Sequence, residues 1–157
     1  MDRRSLVTVP IYIVGISTVL LGLRWLFSPE PWLLDQHANE VVLQMSFVQL
    51  FAADVNTNLP AYLTVIYRFF GWWVISIGSL ISAYTFATEL ETKRSRNIIH
   101  GLLSLIVIVV YIMILNFIPS SPFVYAVYGL AAMILLSFIA STKLPSDGAA
   151  GQIVGRT

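Results

Sequence analysis

Residues 68–84 read RFFGWWVISIGSLISAY. A permanently charged side chain, Arg68, heads a run that holds no further Asp, Glu, Lys, Arg or His, and two tryptophans, Trp72 and Trp73, stand just behind it. Extended to residues 61–88, the run exceeds the roughly 20 helical residues that cross a bilayer core of about 30 Å. Its reading decides the fold: this is a membrane span with a cation at one end.

The rest of the chain agrees. Of its 157 residues, 57% are hydrophobic and 11% charged, against about a quarter charged in soluble domains. Three further stretches have spanning length, at 6–27, 97–117 and 121–141. The expected fold is therefore an all-α membrane protein, one domain over 1–157, with four transmembrane helices in an up-down bundle. The first span is too long for a signal peptide, and no A-x-A-like site follows it. Ser121-Pro122 reads as a helix start, with Ser as cap and Pro in the first position, so PSSP is a tight turn. The net charge of +1 and scattered Lys and Arg exclude a nucleic-acid footprint. Cysteine is absent, which removes disulfides, thiolate metal sites and thiol redox chemistry.

Orientation follows from the positive-inside rule. Arg3 and Arg4 lie before the first span, Lys93, Arg94 and Arg96 between the second and third, and Lys143 and Arg156 after the fourth. The segment 28–60 carries Glu30, Asp35, Glu40 and Asp54 and no Lys or Arg. Both termini are expected in the cytosol, with 142–157 a flexible cytoplasmic tail and 28–60 an outer loop. That loop is long for a helix connection. SPEPW can open a short helix capped by Ser28, with Pro29 in the first turn. EVVLQMSFVQLFAADV is too apolar for water and too short to span. Leu43, Met45 and Phe47 alternate with Gln44 and Ser46 as in a strand, but unpaired amides near lipid favour a helix lying in the interface or capping the bundle.

Counting a span's length places Arg24 and Arg68 at the outer boundary, with all four tryptophans at this edge or in the loop above it. Trp72 and Trp73 fit an aromatic belt. Three readings of the arginines are open. They extend to lipid phosphates; or they form an ion-paired cap with Glu40 and Asp54; or they hold an exogenous anion or the carbonyl of a quinone-like ligand. Gly71, Gly78, Ser82 and Thr85 share one helical face, a packing seam of the kind that joins helices in lipid through close approach and hydrogen bonds. Its partner is another helix of this chain or a second subunit. His37 and His100 fall at opposite ends, which excludes a bis-His haem within one chain. Asp35, His37 and Glu40 have only generic spacing and read as a solvated loop, with no metal expected; His100 reads as packed or hydrogen-bonded near the headgroups.

GLRWLFSPEPWLL, then a lengthened loop, then YRFFGWWVISIGSLISAY resembles the DoxX-like group of small bacterial membrane proteins. The carrying positions are Gly22-Leu23-Arg24-Trp25-Leu26-Phe27-Ser28-Pro29, and Arg68, Gly71 and Gly78. The Asn-Glu pair that closely precedes this Arg in the group is found far upstream here, at Asn39-Glu40. The resemblance implies a four-helix bundle in a bacterial cytoplasmic (inner) membrane; some members look like subunits of quinone-linked oxidoreductases. No catalytic motif is carried over. No ionisable residue sits mid-span and no nucleophile–base pair is visible, so the expected function is an accessory, assembly or scaffold subunit of a membrane complex, with a membrane-protein partner or a second copy alongside the bilayer. The alternatives are a quinone-associated oxidoreductase subunit and a small oligomeric transporter.

Overall fold

A computed structural model of the chain describes residues 2–144. The described residues contain helices and loops and no strand. Four helices are long and apolar enough to cross a membrane: α1 (Ser5–Phe27), α4 (Leu59–Thr88), α5 (Lys93–Phe117) and α6 (Phe123–Thr142). Two short helices, α2 (Gln36–Leu43) and α3 (Phe47–Ala52), lie in the connection from α1 to α4. The tail expected to be flexible falls from residue 145 onward outside the described residues.

The closest backbone packing is between α1 and α4, and glycine is its cause. Gly15 lies against Gly78 and Gly22 against Gly71, which makes the pair antiparallel. A Cβ added to Gly22 would stand 2.6 Å from the Gly71 carbonyl oxygen, and one on Gly78 would stand 2.6 Å from that of Gly15. Only hydrogen fits between these backbones. The seam on α4 therefore meets the chain's own first helix. Its hydroxyls do not cross the interface: Ser82 Oγ donates to Gly78 O at 3.0 Å and Thr85 Oγ1 to Ile81 O at 2.8 Å, both within α4. Close approach rather than interhelical hydrogen bonding builds this contact.

α1 also packs on α6, and α6 on α5. Ser137 Oγ donates to Val7 O at 2.7 Å near one end, and Trp25 stacks on Phe123 at the other, so α6 runs antiparallel to α1. His100 meets Ser137 and Tyr111 meets Tyr128, which sets α5 antiparallel to α6. Val7, Ile11, Ile81, Ile99, Leu103 and Ile134 form a buried cluster toward the end where α1 begins and α6 stops, called here the termini end.

Several boundaries differ from the sequence reading, each for a local reason. α5 begins at Lys93, ahead of the expected residue 97, because the Thr92 hydroxyl caps it by accepting from the Ser95 amide at 3.0 Å. Ser28 does not open a loop helix. It closes α1 in extended conformation, and a 3-10 turn starts only at Pro31, running to Asp35. The strand-like alternation around Gln44 marks a corner between helices: Gln44 is left-handed (φ 55°), and Ser46 with Gln49 forms a reciprocal capping box that starts α3. α6 begins at Phe123, one residue after Pro122, while the Ser121 hydroxyl accepts from the Phe123 amide at 3.2 Å.

Candidate functional site

At the end opposite the termini, the register of the glycine seam brings the last residue of α1, Phe27, level with position 66 of α4. The first turns of α4 thus project beyond α1. The 3-10 turn Pro31–Asp35 packs against both α4 and α1. The result is a cap built from two aromatic nests and a polar chain. Trp25 is buried, edge-on to Phe70 and stacked on Phe123 with centroids 4.7 Å apart. Trp32 is buried between Phe47 and Phe51 of α3. These two tryptophans are core residues of the cap. Trp72 and Trp73 are 57% and 55% exposed on α4.

Asp35 joins the parts. It is 8% exposed, and its Oδ2 accepts from Ser121 Oγ at 2.8 Å, bridging the loop to the α5–α6 turn. Its Oδ1 is buried with no hydrogen-bond partner. The sequence reading put Asp35 in a solvated loop; the fold buries it because Pro31 and Trp32 go inward on the same short turn. Asn39 Nδ2 donates to Tyr67 Oη at 3.1 Å and to Trp32 O at 3.2 Å, tying α2 to α4 and to the 3-10 turn. A shallow cleft of ≈ 320 Å³ lies between Pro122 and the loop, with Asp35, Gln36, His37 and Glu40 along it.

Glu40 forms no salt bridge with Arg24 or Arg68, nor does Asp54; an ion pair instead joins Arg4 to Glu91 at 2.8 Å. Glu40 Oε1 accepts from Gln36 Nε2 at 2.9 Å and from the Phe47 amide at 3.0 Å. Those two bonds, the Gln36 one first, hold its carboxyl below the ordinary 4.5. Asp54 uses its backbone carbonyl to accept from Thr57 Oγ1. Arg24 and Arg68 are exposed at nearly the same level of the α1–α4 pair, since Arg24 faces position 69 on the glycine register. The ion-paired cap is thus replaced by a cap of neutral and aromatic contacts, with the arginines outside it. Among the described residues no group of three or more His, Asp or Glu is placed to hold a metal ion.

The termini end carries a second polar chain, built on a histidine that the sequence reading expects to be packed or hydrogen-bonded. His100 is buried and its Nε2 lies 2.8 Å from Ser137 Oγ. The single Ser137 hydroxyl hydrogen goes to Val7 O, so Nε2 carries the ring hydrogen and donates. Nδ1 is then a bare acceptor, buried without a partner. Arg96, assigned from sequence to a cytosolic loop, is 3% exposed. Its Nη1 donates to Leu90 O at 3.2 Å and Glu91 O at 2.5 Å. That clamps a connection in which Glu89 and Leu90 are left-handed (φ 47° and 50°), a conformation that costs a non-glycine residue about 1–3 kcal/mol. No local signal in the sequence distinguishes such an arginine from its solvated neighbours.

Comparison with known proteins finds no matching family model, no matching curated protein and no matching solved structure. The likeness to the DoxX-like group rests on the stretches quoted above and gains no support from that comparison.

Proposed function

We propose that this chain is a multi-pass membrane protein, an up-down bundle with both termini cytosolic, that acts as an accessory or assembly subunit of a larger membrane complex. A bacterial cytoplasmic membrane is the setting the sequence resemblance implies. The observation that carries the reading is an aromatic strip on α4. Tyr62, Val65, Phe69 and Trp72 recur at helical spacing, are all more than half exposed, and lie beside exposed Arg68 and Trp73. Trp, Tyr and Arg are the residue types that dominate binding energy at protein interfaces. In contrast, the buried polar side chains of both ends are engaged in holding helices together, as Asp35–Ser121 and His100–Ser137.

The test is site-specific photo-crosslinking from position 72 in native membranes, with position 105 on exposed α5 as control. A discrete protein adduct from 72 and none from 105 supports a partner on this strip. Lipid adducts alone from both positions reject it. Purification in mild detergent separates the alternatives: a co-purifying quinone supports the oxidoreductase subunit, and solute uptake by the reconstituted chain supports the transporter.

A further inference from the structure

A cleft of ≈ 630 Å³ opens at the termini end between α1 and α6, within the ~300–1,000 Å³ range of ligand pockets. Leu6 and Val9 form one wall and Leu136 and Ile139 the other, with Arg3 and Lys143 at the rim, one beside each helix. Among the described residues no carboxylate lines it. Both cations are exposed. Among the described residues neither has an ion-pair partner, whereas the adjacent Arg4 is paired with Glu91. The walls are open to the surroundings, Leu6 at 43% and Ile139 at 46%.

A ligand that fits needs an anionic group within reach of two cations and a long apolar part to lie along the groove. Long basic side chains reach from apolar surface to a charged headgroup in this way. With two cations and no Asp or Glu among the described lining residues, a headgroup carrying its own ammonium has no anion in the cleft to face. We infer that the cleft is a specific site for one anionic glycerophospholipid, with its phosphate between Arg3 and Lys143 and an acyl chain between α1 and α6. This rests on the membrane reading given above and on no partner protein.

The experiment uses the full-length chain in mild detergent, titrated with phosphatidylglycerol or phosphatidylcholine and followed by native mass spectrometry and thermal unfolding. The expected result is one retained phosphatidylglycerol and a rise in melting temperature that phosphatidylcholine does not give. Two basic residues near an anionic headgroup correspond to roughly twenty- to thirtyfold in affinity, so R3Q/K143Q should lose most of that preference while R3K/K143R keeps it. Ala140→Phe, which adds bulk beside the cleft, should weaken lipid retention with the charges intact. Equal retention of the two lipids by the wild type would overturn the assignment. So would an unchanged preference in R3Q/K143Q, or equal stabilisation by inorganic phosphate, which has no acyl chain. Failure of the membrane reading itself would show separately, as a chain monodisperse in buffer without detergent.

Discussion

Asp35 and Glu40 sit five residues apart and face opposite circumstances. Asp35 is buried with one hydrogen-bonded oxygen and one bare. Ser121→Ala strips its remaining partner, and unfolding in detergent should become easier by about 1–3 kcal/mol. Asp35→Asn keeps an acceptor for Ser121 and removes a buried charge, so it should melt at or above the wild type. A melting temperature for the Asn variant as low as that of Ser121→Ala would refute this account of the cap. Glu40 lies at the surface, and its carboxyl is held below the ordinary 4.5 by Gln36 and the Phe47 amide. A lowered folded value means that its contribution is complete above the ordinary value and is lost as pH falls through the folded one. The protection factor of the Phe47 amide, its exchange relative to the intrinsic rate at the same pH, should therefore fall in acid, and in Glu40→Gln that acid dependence should vanish. Neither role was legible in DQHANE, because burial of one carboxylate and not its neighbour depends on the inward packing of Pro31 and Trp32 and on Ser121, which is distant in the chain.

The elements themselves were far more legible. Span lengths and the seam Gly71, Gly78, Ser82 and Thr85 follow from apolar length and helical spacing. What pattern alone could not supply was the seam's partner, since Gly15 and Gly22 look like any small residues until a facing helix is placed on them. The structure makes a differential prediction. In Gly22→Ala, Gly71→Ala and Gly78→Ala the new Cβ meets backbone atoms at 2.6–2.8 Å, so the helices must part, at an expected cost of about 1–3 kcal/mol. Gly101→Ala and Gly129→Ala meet nothing within 4 Å and should be neutral, or gain up to about 1 kcal/mol from helix propensity. Thermal melts of the five variants in one detergent check this; a uniform response would remove glycine packing as the basis of the α1–α4 pair. The loop elements were harder to place. A corner such as Gln44-Met45-Ser46 alternates like a strand, and only the Ser46–Gln49 capping box gives it away.

At the scale of the molecule, the pairing of α1 with both α4 and α6 places Arg3, Arg4 and Lys143 at one end and the folded loop at the other. The threading predicts that single cysteines at Asp54 and Thr142, in a chain without native cysteine, label from opposite faces of sealed vesicles, with Thr142 on the cytosolic face. The opposite pattern would reverse the assignment, and labelling of both from one face would refute the threading. The basic loops are the ground on which the sequence predicts this direction. The helix neighbours were not readable, because lipid rewards shape fit between particular backbones and gives little general drive for apolar faces to meet. The glycine lock also has a consequence for biosynthesis. α1 leaves the ribosome about fifty residues before its mate at Gly71, a delay of several seconds at ordinary elongation rates of roughly 5–20 residues per second. Throughout that interval the Gly15–Gly22 stripe of α1 is without its mate, so the lock is set only once the second span has been made.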